Sequence, residues 1–260
     1  MRFEDVEIKW LGHSGFLIAP NQVPSRSERD LKEGVPSKEG KNSTPQVYPN
    51  KSSANISTGG KVIYIDPYNI KDGLEKADLI LITHSHYDHC SVVDINKIVK
   101  EGTRILITAD CQSKINKFDV QIKMEIAEPG QEFDFGDVKI STLASYNVDK
   151  SFHPKEEGWL GYLIKMNNLL IYHAGDTDKI PEMQKLTGYG GAEKNFIALL
   201  PIGGRFTMTP EEASEAAKLI KPSLTIPMHY GSMVGTDEDA QEFVRLCGEE
   251  GIKAEILEKE

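Results

Sequence analysis

No run of this 260-residue chain comes near the ~20 consecutive apolar residues that a membrane-spanning helix requires. A helical membrane protein is therefore not expected. Cysteine is scarce: Cys90, Cys111 and Cys247 are an odd, scattered set. They give no disulfide framework and fit the reduced thiols of a cytoplasmic protein. Positive charge is in deficit, 30 Lys and Arg against 40 Asp and Glu, for a formal charge of −10. That disfavours a broad grip on nucleic acid or anionic membrane but leaves room for a local pocket for one phosphate. Met1 to Trp10 carries acids within its apolar pattern and reads as no signal peptide. An apolar share of 39% and a charged share of 27% are those of an ordinary soluble globule. With no repeat and no linker, residues 1–260 read as one domain with one sizeable core.

Pro20 to Gly60 has almost no large apolar residues and is rich in Ser, Asn, Lys, Pro and Gly. Such a stretch cannot bury enough surface to offset its ordering entropy. It reads as a polar, flexible insertion between two strands, a passive loop rather than a lid or a second domain.

What the chain does have is histidine where packing does not want it. Thr83-His84-Ser85-His86-Tyr87-Asp88-His89-Cys90 follows the apolar run Asp78-Leu79-Ile80-Leu81-Ile82, which reads as a buried strand. Three imidazoles and a carboxylate in six positions would be left searching for partners in a core. At the mouth of a strand they can converge on a cation, and His84 and His86, two apart, turn the same way if extended geometry persists. Cys90 is better read as a small buried residue opening the next helix than as a ligand.

Along the chain, Phe3–Trp10 reads as a strand, with Gly12-His13-Ser14-Gly15 as the turn of a hairpin. His13 at that turn is either an ordinary capping histidine or lines the site from a neighbouring strand end. Lys61–Ile65 is a strand ended by Asp66-Pro67. Ser91 opens a helix to about Lys100, Thr103–Thr108 is a strand, and Asp110–Lys117 a short helix. Two short strands flank Phe135-Gly136-Asp137, a polar loop Ser145–Gly158 carries His153, and a hairpin turns at Asn167-Asn168. That hairpin delivers Asp176. Phe196–Leu200, a helix after Thr209-Pro210-Glu211-Glu212, Leu224–Met228, a helix from Asp237 and a strand Ile252–Leu257 complete the order.

Asp66, the His84–His89 stretch, Asp176 and His229 each follow directly on a predicted strand. Strands ending at one edge of stacked sheets would bring them into one cleft. Imidazoles and carboxylates without thiolates point to a hydrolytic zinc, manganese or iron site. Here the chain resembles a family. The histidine stretch, Gly175-Asp176 and Pro227-Met228-His229-Tyr230-Gly231 are similar to the metallo-β-lactamase-fold hydrolases. Leu11–Gly15, Asp66-Pro67, Tyr172–Thr177 and Pro201–Gly204 resemble a compact single-domain branch of metal-dependent hydrolases, with ascorbate-6-phosphate lactonases as distant relatives. The resemblance covers all but the Pro20–Gly60 insertion.

The resemblance implies an α/β fold, an αββα sandwich of two mixed β-sheets flanked by helices, with two divalent metal ions, zinc first and manganese or iron next, at one edge. It places His84 and His86 on the first metal, Asp88, His89 and His229 on the second, and Asp176 between them. The third histidine of the first metal departs from the commonest pattern, since Ala144-Ser145-Tyr146-Asn147 stands where it is usually found. His153 is the nearby imidazole and takes that place. Asp66 and His173 are expected behind the ligands. The expected reaction is attack by a metal-bridging hydroxide, oriented by Asp88 or Asp176, on an ester, lactone, amide or phosphodiester of a small anionic substrate. Gly203-Gly204-Arg205 offers a weak anion contact. Three rivals stand beside it: a nuclease or nucleotide phosphodiesterase, a redox di-iron site, and a metal-stabilised binding protein without turnover. Homo-oligomer formation is left open.

Overall fold

The computed structural model describes residues 1–3, 5–21, 60–115, 118–192 and 195–260. The insertion expected at 20–60 lies, for 22–59, outside the described residues. Strands β1 (Arg2–Phe3), β2 (Val6–Gly12), β3 (Gly15–Pro20), β4 (Ile63–Ile65), β5 (Leu79–Leu81), β6 (Arg104–Ile107) and β7 (Lys123–Ile126) form the first sheet in that spatial order. β8 (Glu132–Asp134), β9 (Val138–Ala144), β10 (Leu160–Met166), β11 (Leu169–His173), β12 (Asn195–Pro201) and β13 (Leu224–Met228) form the second. Both are mixed. In the first sheet β1 to β4 pair antiparallel and β4 to β7 parallel. In the second, β8 to β11 pair antiparallel and β11 to β13 parallel.

The strand alternation explains the layering. Ile63, Ile65, Leu79 and Leu81 pack with Ile140, Tyr162 and Ile171 in the core between the sheets. Their neighbours Val62, Tyr64, Ile80 and Ile82 face the other way, against Ile95, Ile98 and Val99 of helix α1 (Val92–Ile98). Sheets covered on both faces need apolar residues at every position, which is why these strands read as continuous apolar runs. On the far side, Ala213, Ala216, Ala217 and Ile220 of α2 (Pro210–Ile220) and Ala240, Phe243 and Cys247 of α3 (Asp237–Glu249) join the core cluster that contains β12 and β13. The order is helix, sheet, sheet, helix.

The helix starts follow their caps. Ser91 caps α1, and α2 has the expected capping box between Thr209 and Glu212, with Pro210 in the first turn. Asp94, in the first turn of α1, ties the helix to the loop before it by accepting the backbone N–H of Asn69 at 2.8 Å and of Ile70 at 3.2 Å.

Two readings are corrected. The helix expected at Asp110–Lys117 is a 3₁₀ turn at Ala109–Cys111 within the described residues, 116 and 117 lying outside them. Asp110 draws its side chain away from a helical role: Oδ1 accepts Thr108 Oγ1 at 2.5 Å and Oδ2 accepts Trp159 Nε1 at 2.8 Å. The closing strand expected at Ile252–Leu257 is a tail with single bridges, Ala254 beside Thr225 and Lys259 beside Trp10. It crosses from the edge of one sheet to the other, so no ladder forms. β7 had no reading in the sequence, because it is a short, half-exposed edge strand with Lys123 and Glu125 in it.

Candidate metal centre

The expected edge exists. The turn after β2, the ends of β4 and β5, the loop after β9, and the ends of β11 and β13 all open on it. Three sets of ligand atoms lie within 4.8 Å of one another there, among the described residues: His84, His86 and His153; His13, Asp88, His89 and His229; and His84, His89 and Asp176. All seven residues expected to hold metal are in these sets, with His13 added.

Asp176 joins the sets. Its Oδ2 lies 3.0 Å from His229 Nε2, 3.4 Å from both His89 Nε2 and His153 Nε2, and 3.9 Å from His84 Nε2. Gly175 makes this placement fit. It has φ +68°, and a Cβ there would sit 2.5 Å from the Leu160 carbonyl and 2.8 Å from Ser145 Oγ. Ser145 Oγ in turn donates to the Asp176 carbonyl at 2.9 Å. Thus the stretch standing where the usual family histidine would be is occupied in holding the Asp176 loop: Thr177 Oγ1 donates to the Tyr146 carbonyl at 2.9 Å.

Three of the rings are aimed from behind. His89 Nδ1 donates to Asp66 Oδ2 at 2.7 Å, and Asp66 also accepts Thr83 N at 2.8 Å and Thr83 Oγ1 at 2.6 Å. Thr83 Oγ1, its proton given to Asp66, accepts His84 Nδ1 at 3.0 Å. His153 Nδ1 donates to the Phe206 carbonyl at 3.0 Å, and Asn147 N holds the His153 carbonyl at 2.9 Å. These bonds leave Nε2 of His84, His89 and His153 facing inward, the arrangement in which a second partner fixes a ligating imidazole's tautomer. His173, expected close behind the ligands, instead donates from Nε2 to the Ser14 carbonyl and accepts Gly175 N at Nδ1.

The donor set fits metal. Buried His89 Nε2 and Asp176 Oδ1 have no hydrogen-bond partner in the protein. His84 Nε2 and His86 Nδ1 face each other at 3.0 Å, a separation that suits a hydrogen bond and equally two donor atoms on one ion. Burial holds His84, His86 and His153 below the usual imidazole range, the neutral form that binds a cation. His89 goes the other way. Burial opposes its charge, but Asp176 and Asp66 outweigh it and push the imidazole well up. For Asp88, burial is outweighed by the bond from His13 and the nearby His89 imidazole, which hold the carboxyl well below its ordinary range.

Two features were invisible in the sequence. Trp159 lies against three rings of the centre, at centroid distances of 4.6 Å from His84, 4.9 Å from His86 and 5.4 Å from His153. The only signal was an aromatic at the start of a strand. Gly203, read as part of an anion contact, spaces the site instead, since a Cβ there would come 2.8 Å from His229 Nδ1. Arg205 is exposed, with its guanidinium 5.0 Å from the Phe206 ring.

The sequence profile of the beta-lactamase superfamily domain matches residues 47–229, more than two thirds of the chain. The chain belongs to the β-lactamase superfamily. A UPF0173 metal-dependent hydrolase of Thermococcus kodakarensis is 33% identical over 220 residues, covering 79% of this chain and 92% of the relative. A crystal structure from Parabacteroides distasonis shares the fold with a TM-score of 0.72 at 24% identity, over 98% of this chain and 94% of that one. A Thermotoga maritima member of the metallo-β-lactamase superfamily superposes with a TM-score of 0.52 at 18% identity, over 93% and 85%. The fold is the metallo-β-lactamase sandwich that the superfamily motifs implied. No helix among the described residues is long and apolar enough to cross a membrane.

Proposed function

We propose that this superfamily member is a dinuclear metal-dependent hydrolase that cleaves an ester, lactone, amide or phosphodiester bond in a small molecule. One observation carries the reading: a single buried carboxylate oxygen, Asp176 Oδ2, lies within 3.9 Å of ring nitrogens from four histidines belonging to two clusters. A carboxylate so placed could serve as a shared ligand for two cations. His84, His86 and His153 would hold one, Asp88, His89 and His229 the other, with Asp176 between.

Two divalent ions there would supply Lewis acidity and lower the pKa of water toward ~7. The protein's own groups do the rest. The Asp66–His89, Thr83–His84 and Phe206–His153 bonds fix the rings before substrate arrives, so no reorganisation is needed during reaction. Trp159 walls one flank and excludes water from it. Asp176 and Asp88 accept hydrogen bonds from the attacking water. The Asp88 side chain is 10% exposed and that of Asp176 3%, so Asp88 is the carboxylate able to pass a proton to a departing group.

The test is elemental analysis of protein purified without chelator and then reloaded, followed by a panel of lactones, phosphodiesters and β-lactams. About two transition-metal ions per chain and turnover of one panel class are expected. Less than half an equivalent after reloading with zinc, manganese or iron overturns the reading.

A further inference from the structure

His13 is a buried side chain that the reaction as outlined does not use. The fold goes to some length to place it. Its backbone lies in the left-handed region at φ +54°, uncommon for a residue with a side chain. Among the described residues seven non-glycine positions share that region, and three of the others, Asp66, His153 and His229, belong to the centre. Two hydrogen bonds from the second sheet clamp the turn: His229 N donates to the His13 carbonyl at 2.9 Å, and His173 Nε2 to the Ser14 carbonyl at 2.9 Å. Trp10 Nε1 adds a third, to the His13 carbonyl at 2.9 Å.

The side chain so placed mirrors the other half of the centre. The rings of His84, His86 and His153 form a triangle of centroid distances 4.7, 5.3 and 5.1 Å. Those of His13, His89 and His229 form one of 5.7, 4.0 and 5.7 Å. His13 Nε2 stands 2.9 Å from Asp88 Oδ2, close to the 3.0 Å between His84 Nε2 and His86 Nδ1. Such a separation suits a hydrogen bond and equally suits two donor atoms on one ion. The ligand atoms of His13, Asp88, His89 and His229 all lie within 4.8 Å of one another, and that four-way convergence decides for the second.

We infer that His13 is a metal ligand, a fourth protein donor beside Asp88, His89 and His229, which makes this position the more richly coordinated of the two. The inference rests on the dinuclear reading above. With Asp176 shared, the His13 position has five protein donors and the His84 position four. The ion at the first therefore binds tighter and suits a cation that takes more than four ligands, while the His84 position keeps room for water.

The test is Co²⁺ binding to chelator-stripped protein, by equilibrium dialysis and by tryptophan fluorescence. The chain has two tryptophans, and each flanks one position, so Trp159→Phe leaves Trp10 as the reporter beside His13. Wild type should take two ions. His13→Ala and His13→Gln should each keep one and bind the other more than about 100-fold more weakly, because losing even an outer partner costs ~10–100-fold. The glutamine amide can still donate to Asp88 but offers no imidazole. A smaller loss in either variant, or rescue by Gln of the loss seen with Ala, overturns the inference and leaves the dinuclear reading standing. Wild type taking fewer than two ions takes both down. Melting curves, and His13→Asn, which tolerates left-handed backbone, guard against misfolding.

Discussion

The two halves of the centre are built from the same residue type at the same sheet edge, yet by different routes. His84 and His86 come from one strand end, two positions apart, and their third partner arrives on the loop between β9 and β10. His13, Asp88, His89 and His229 come from the β2–β3 turn, the end of β5 and the end of β13, so both sheets must dock before they meet. Both halves therefore need the two sheets docked, but the first takes its second-sheet donor from one loop, whereas the second joins a turn of the first sheet to a strand end of the second. The flanks differ too. Trp159 covers the three imidazoles of the first, held by Asp110. The turn that carries His13 is backed by Trp10, which stacks on Tyr230 at 4.9 Å. A loop can be changed without unfolding the molecule, whereas sheet docking cannot, which makes the halves separable by mutation.

The largest effect should come from the residue that abolishes the contrast. Asp176→Asn removes the carboxylate that both halves share, so both ions should bind more than about 100-fold more weakly, beyond the ~10–100-fold cost of an outer partner. Dialysis against a metal buffer measures this; retention of one tight ion would mean that the halves do not share Asp176.

His153→Ala should separate them. It is expected to weaken one ion by about 100-fold, leave the other at wild-type affinity, abolish most hydrolysis and keep the melting curve cooperative. Tyr146→Phe is the comparison, because its hydroxyl donates to Glu182 at 2.8 Å on the far side of the loop and should leave both ions unchanged. Both ions held at wild-type affinity in His153→Ala would remove this residue from the centre.

Asp66→Asn acts from behind. It bonds His89 directly and His84 only through Thr83. The loss should therefore be about 10-fold or more for the His89 ion and smaller for the His84 ion. Equal losses would show that Thr83 transmits the change fully.

The smallest effect belongs to Trp159→Phe. It deletes the Nε1 bond to Asp110 while keeping a ring against His84 and His86. A stability loss of about 1 kcal/mol in urea unfolding is expected, with a few-fold weaker ion at the first half and none at the second. An equal effect on both would mean that the wall is not local.

Much of this could be read from the residues. The His84–His89 stretch, Asp176 and His229 are ligand types sitting directly after apolar runs, and a strand end is one of few places where such side chains meet. Runs such as Val62–Ile65 and Leu79–Ile82, apolar at every position because each face is covered, marked the buried strands, while the layering came from the family resemblance. Capping at Ser91 and Thr209 was local chemistry and needed no partner.

What the sequence by itself determined is the set of residues with no apolar role and the strands they follow, because hydrophobic period and cap chemistry act over a few neighbours. The tertiary structure decided which distant side chains complete each half. His153 reaches its cluster because Asn147 and Phe206, 59 residues apart, grip its loop and ring. His13 reaches its own because His229 and His173 pull its turn onto the second sheet. Both sit in left-handed backbone that no local propensity favours. Such a conformation persists only when long-range bonds over-determine it, and those bonds do not exist until the two sheets have packed.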